Sequence, residues 1–188
     1  MFSQYRHKRS VSKSVSLLVA TSLLVATGAQ AAETAHRQLV LTAYSNGAGG
    51  TSLLNGQYDV ALTEIQHYKP KMMMDSSAKA TNLCVAYAAT RQLTEAKNAC
   101  DAALKAAKYD RLNSSRFTPG GSRENSYVAL AYTNRAVVHM LSRDEASAKA
   151  DLDKAQVLAP QADFVARNVA AVSSSRSTIA QLEVAPPR

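Results

Sequence analysis

The sequence predicts an all-α fold of antiparallel helix-turn-helix repeats, an α-solenoid of about two to three units closed by a C-terminal capping helix. Three observations predict it. Alanine supplies 34 of the 188 residues, a composition that favours helix over strand. From Tyr58 onward apolar residues recur at helical spacing. Segments of the chain also resemble one another at fixed offsets, the signature of a repeat architecture. Hydrophobic residues make up 46% of the chain, enough for a packed core, which excludes a wholly disordered protein.

The N-terminus has the three parts of a secretory signal peptide. Arg6, Lys8, Arg9 and Lys13 precede an apolar stretch from Val15 to Ala26, and Ala29-Gln30-Ala31 supplies a small-x-small end. The apolar part is short for a bilayer span. Residues 1–31 are therefore expected to be removed after Ala31, leaving an exported protein with no stable membrane anchor. No Cys sits at the cleavage point, so a lipid anchor is not expected. The whole chain carries 22 Lys and Arg against 14 Asp and Glu, a charge of +8. The signal holds four of those bases and no acid, so the mature chain is only +4. That balance does not call for a nucleic-acid partner.

Arg37 to Tyr44 is apolar and suits a short strand or a helix start. Ser45 to Gly50 is a breaker cluster; it lacks the Gly-Lys-Ser/Thr that a phosphate loop needs, so a plain loop or a tight helix contact is expected. Tyr58, Ala61, Leu62 and Ile65 lie on one helix face, and Pro70 closes that segment. Ser76 and Ser77 are candidate caps for a helix running to about Thr90. Thr94 to Lys108 is a second helix, with Ala96, Cys100, Ala103 and Leu104 on one side. Residues 111–128 are read as an inserted loop around Pro119-Gly120-Gly121, giving way to a helix that starts at Asn125 or Ser126 and ends at Leu141. Arg143 to Leu158 forms another helix, stopped by Pro160. A capping helix spans 162–172, and residues 173–188 are expected to be a flexible tail.

The self-similarity aligns Tyr58-Asp59-Val60-Ala61 with Leu93-Thr94-Glu95-Ala96, and Ile65 with Cys100, at an offset of 35. Ala96, Cys100 and Ala103 align with Ala148, Leu152 and Ala155 at 52, as Thr81-Asn82 does with Thr133-Asn134. These positions resemble the tetratricopeptide repeat, a helix-turn-helix unit. Leu83, Cys84, Tyr87, Ala96 and Ala103 fit its pattern in one unit (77–110). Tyr132, Ala136, Ala148, Leu152, Ala155 and Pro160 fit it in the next (129–162). Arg135 and His139 depart from the apolar and aromatic residues expected there. A weaker unit covers 42–75, good only in its second half.

The resemblance implies a scaffold that binds a protein or peptide on a concave face lined by the first helix of each unit. That face would carry Thr81, Asn82, Val85 and Ala88, then Thr133, Asn134, Val137 and Met140. An Asn side chain can bond a peptide backbone as donor and acceptor together; alternatively, each Asn satisfies a neighbouring helix. No Lys accompanies the two Asn residues, so a carboxylate clamp is not expected. Cys84 and Cys100 form an even pair, which points to a disulfide in an oxidising compartment or to two small residues buried in a helix contact.

Other chemistry is thin. His36, His67 and His139 are scattered, and no His- or Cys-based metal spacing appears. Met72, Met73 and Met74 are soft ligands but suit gap-filling better. No nucleophile-elbow motif accompanies the Ser, His and acidic residues. No cofactor is implied. Arg111, Arg116 and Arg123 are the local basic concentration. The expected function is an exported, non-enzymatic scaffold in the cell envelope, periplasmic or secreted. The alternative is a module that binds anionic lipid or cell-wall polymer through those arginines. An enzyme built without a recognisable motif is the third possibility.

Overall fold

The computed structural model describes residues 38–69, 73–114, 122–174 and 182–187. The signal-peptide region, Arg116 and the side chains of 72–74 lie outside the described residues. The described part is mostly helical, with seven helices and two short strands. In chain order they are β1 (Leu39–Thr42), α1 (Gly50–Leu54), α2 (Tyr58–His67), α3 (Met73–Ala89), α4 (Leu93–Ser114), α5 (Ser122–Leu141), α6 (Glu145–Leu158), α7 (Asp163–Ser174) and β2 (Leu182–Ala185).

Helices α1 and α2, α3 and α4, and α5 and α6 form three hairpins with closely similar turns. At each turn a residue takes the left-handed conformation just after the first helix: Gly56 (φ 75°), Arg91 (φ 62°) and Arg143 (φ 62°). The amide of the following residue donates back five positions: Gln57 to Ser52, Gln92 to Tyr87, and Asp144 to His139. This is the Schellman arrangement, which satisfies carbonyls that a helix end leaves open. The second helix of each hairpin then begins with the same bond, from Ala61, Ala96 and Ala148 to the residue four before it. All three alanines are fully buried. Small size at this position lets the paired helices approach closely.

The disulfide Cys84–Cys100 ties α3 to α4, with Cα atoms 4.8 Å apart. Around it lies a core of Leu39, Leu41, Leu53, Ile65, Val85 and Val137. A second cluster joins α4, α5, α6 and α7 through Leu104, Val128, Leu130, Ala155 and Phe164.

Several expectations need correction. Residues 111–128 are not one inserted loop: α4 continues to Ser114 and α5 starts at Ser122. Backbone hydrogen bonding favours extending two packed helices over an unpaired excursion of that length. Ser76 and Ser77 lie inside α3 rather than capping it. The weak unit at 42–75 has only a five-residue first helix, α1, because the chain before it is spent on β1 and a tight turn. At that turn Gly49 has φ 69°. A Cβ on Gly50 would stand 2.1 Å from the Tyr44 carbonyl oxygen, so this backbone approach excludes any larger residue. The tail also contains structure: β2 pairs with β1 in parallel, Leu39 opposite Leu182 and Thr42 opposite Ala185.

Candidate functional site

The common hairpin turns bring the first helices α3 and α5, together with α7, to the same side of the molecule. Each presents one asparagine there: Asn82, Asn134 and Asn168. All three are buried, and all three grip the extended segment that begins with β1. Asn168 accepts from the Val40 amide at 2.9 Å and donates to the Val40 carbonyl at 2.8 Å. Asn134 does the same to Thr42, both bonds 2.8 Å. Asn82 accepts from the Tyr44 amide at 2.8 Å and donates to its carbonyl at 2.9 Å, with a further bond to the Ala48 carbonyl at 3.0 Å.

The residues gripped are 40, 42 and 44. In an extended chain alternate residues direct their backbone groups to the same edge. One asparagine per helix therefore forms a ladder along one edge of the strand. A carboxamide is the side chain suited to this, since it offers a donor and an acceptor from one planar group. Nothing in the contact depends on the identity of residues 40, 42 or 44.

The ladder changes the meaning of the predicted concave face. Thr81, Asn82, Val85, Ala88, Thr133, Asn134 and Val137 are all buried, and Met140 is half-buried. This is not an open surface, because the chain's own segment already covers it. The asparagines do bond a peptide backbone, but an intramolecular one. Thr133 is directed elsewhere, donating to the Ala129 carbonyl at 2.8 Å. Asn168 lies on α7, the helix that the sequence marks only as a cap. The sequence carries a cue to it, since Asn168 follows Asn134 by 34 residues.

The outer edge of β1 carries β2. The Ala43 amide donates to the Ala185 carbonyl at 2.9 Å. Leu182 and Val184 pack on the core while remaining half-buried. Glu183 receives both terminal nitrogens of Arg167, from α7. That carboxylate also holds the Arg167 guanidinium above its ordinary range, its hydrogen bond outweighing the opposing effect of burial.

The departures Arg135 and His139 form a second polar arrangement, between α5 and its neighbours. Arg135 donates from Nε and Nη2 to the buried Asp151 of α6, at 2.7 and 2.9 Å, and from Nη1 to Asp101 of α4 at 2.7 Å. The bond to Asp151 raises the Arg135 pKa, partly offset by burial and reinforced by Asp101. His139 stands between Asp144 at 3.3 Å and Asp151 at 3.8 Å. Tyr132 is approached by Lys108, Lys154 and Arg135 at 5.1, 5.4 and 5.7 Å from its ring centre. These contacts connect α5 to α4 and α6, and Lys108, Tyr132 and Lys154 also line a cavity of about 550 Å³ with Asp153 and Val157.

A cavity of about 580 Å³ lies beyond Tyr44, where the extended segment turns away. Tyr44 and Tyr127 meet edge to face in its wall, ring centres 5.7 Å apart. Arg111 and Arg123 line it, but so do Asp110 and Glu124, so the basic residues do not create a one-sign surface there. Burial raises the Asp110 carboxyl above its ordinary range, against a hydrogen bond from Ser77 that lowers it. Burial also raises the Tyr44 hydroxyl strongly, helped by Tyr127 and Asp110. Arg111 bonds Asn125 at 3.4 Å.

Among the described residues no group of three or more His, Cys, Asp or Glu side chains could hold a metal ion, and no helix is long and apolar enough to cross a membrane. Comparison with protein-family models, with curated proteins and with solved structures returns no match.

Proposed function

We propose that this chain is an exported, non-enzymatic scaffold of tetratricopeptide-like units, which acts in the cell envelope by holding an extended segment of protein. The observation that carries this is the asparagine ladder: one side-chain amide from each of α3, α5 and α7, each engaging one alternate residue of an extended backbone. A groove that grips main chain without reading side chains is suited to polypeptide rather than to a small substrate. The three matching Schellman turns support the repeat reading. The Cys84–Cys100 bond suits an oxidising compartment, as export would supply.

Two experiments test the proposal. Sequencing the N-terminus of the protein recovered from the cell envelope should find Ala32 first; a cytosolic protein beginning at Met1 would refute export. Cross-linking the tagged full chain in cells should capture the same partner protein reproducibly, and repeated failure to capture one would refute the scaffold role.

A further inference from the structure

We infer that the outer edge of β1 is a peptide-binding site in which β2 is a tethered resident, and that the site takes an extended peptide of the pattern apolar–acidic–apolar–small in parallel alignment. The inference rests on the scaffold reading and names the chemistry of its ligand.

The two edges of β1 are held in different ways. Residues 40, 42 and 44 give their backbone groups to Asn168, Asn134 and Asn82. By the alternation of an extended chain, residues 39, 41 and 43 direct theirs to the other edge. That second edge is a strand template positioned by helices, since the asparagines hold the opposite edge. Such an edge recruits a partner strand by backbone bonding.

β2 occupies the edge lightly. Its four residues are all half-buried, and Pro186 and Pro187 after it are exposed. Neither proline has an amide hydrogen with which to extend the ladder. β2 does, however, show what the site selects. Leu182 and Val184 rest on the core cluster, and between them Glu183 meets Arg167 of α7. A ligand therefore needs two apolar residues flanking an acid, the acid being read by a guanidinium that can bind both carboxylate oxygens. A partner's segment with this pattern would displace β2 and leave β1 in place.

The test uses the full chain carrying Glu183→Lys and Val184→Asp, which unseats β2. The probe is a fluorescent synthetic peptide of residues 181–188, followed by anisotropy. The unseated chain should keep its helical circular dichroism and bind the probe about tenfold or more tighter than the unaltered chain, whose site is already filled. Adding Arg167→Glu should weaken that binding severalfold, and a probe carrying Glu183→Lys should recover it. A helical unseated chain that ignores the probe overturns the inference. So does an unseated chain that loses its helices, since β2 would then belong to the fold, or an unaltered chain that binds equally well. A stable dimer that exchanges β2 between copies and resists the probe also overturns it. An envelope partner whose capture is unaffected by Arg167→Glu would leave the scaffold proposal standing while ending this one.

Discussion

β1 and β2 are four residues each and lie in register side by side, yet they are held by different forces. β1 is buried along its length. One of its edges is clamped by side chains from three helices, and Leu39 and Leu41 enter the core. β2 has one bonded edge, two half-buried apolar side chains and an ion pair whose members are each about one-third exposed. In water an ion pair of that exposure contributes little. Burying backbone polar groups is costly unless they are bonded, and the asparagine ladder makes burial of β1 possible. The same secondary structure is thus buried in one strand and peripheral in the other.

The comparison can be broken most sharply at Asn134. Asn134→Ala leaves the Thr42 amide and carbonyl buried without their partner. We expect urea unfolding to report a loss of about 2–5 kcal/mol; a loss below about 1 kcal/mol would mean that the ladder is not what holds β1. Truncating one apolar residue in each strand comes next. Leu41→Ala in the fully buried position should cost about 3 kcal/mol, and Val184→Ala in β2 about 1 kcal/mol or less. Equal costs in paired denaturation curves would erase the distinction between the strands. Arg167→Ala should change stability by no more than about 1 kcal/mol while speeding hydrogen exchange at the Ala43 amide, which bonds β2. The smallest effect concerns the Thr42 hydroxyl, which is buried with no hydrogen-bond partner among the described residues. Thr42→Val should leave the thermal midpoint unchanged or slightly raised, because no bond is lost and a desolvated hydroxyl is removed. A marked fall would point to a bond made by that hydroxyl.

Much of the helical framework was legible. Ala61, Ala96 and Ala148 recur at positions where only a small residue allows close packing, and the apolar spacing around them marks helices α2, α4 and α6. Asn82 and Asn134 stood out as a repeated pair, and their capacity to bond a backbone was readable from their chemistry. The identity of that backbone was not. The amides of Tyr44, Thr42 and Val40 bond asparagines 38, 92 and 128 residues away, separations that no local period encodes. The turns were partly hidden as well. Gly56 announces a left-handed residue, but Arg91 and Arg143 hold the same conformation without any such cue. Arg135 looked like a defect in the repeat. Its meaning depends on Asp151 and Asp101, brought to it by two other helices.

What the sequence determined by itself was the helices, because they follow from contacts three and four residues apart and from small residues on their packed faces. Tertiary structure alone decided that the face lined by Asn82, Asn134 and Asn168 would be closed by the chain's own residues 39–44, and that Leu182–Ala185 would dock on the far edge. A short apolar segment is compatible with many burial sites. Selecting one requires the unbonded backbone of that segment and the amides of three separate helices to come together, and those groups meet only in the folded chain.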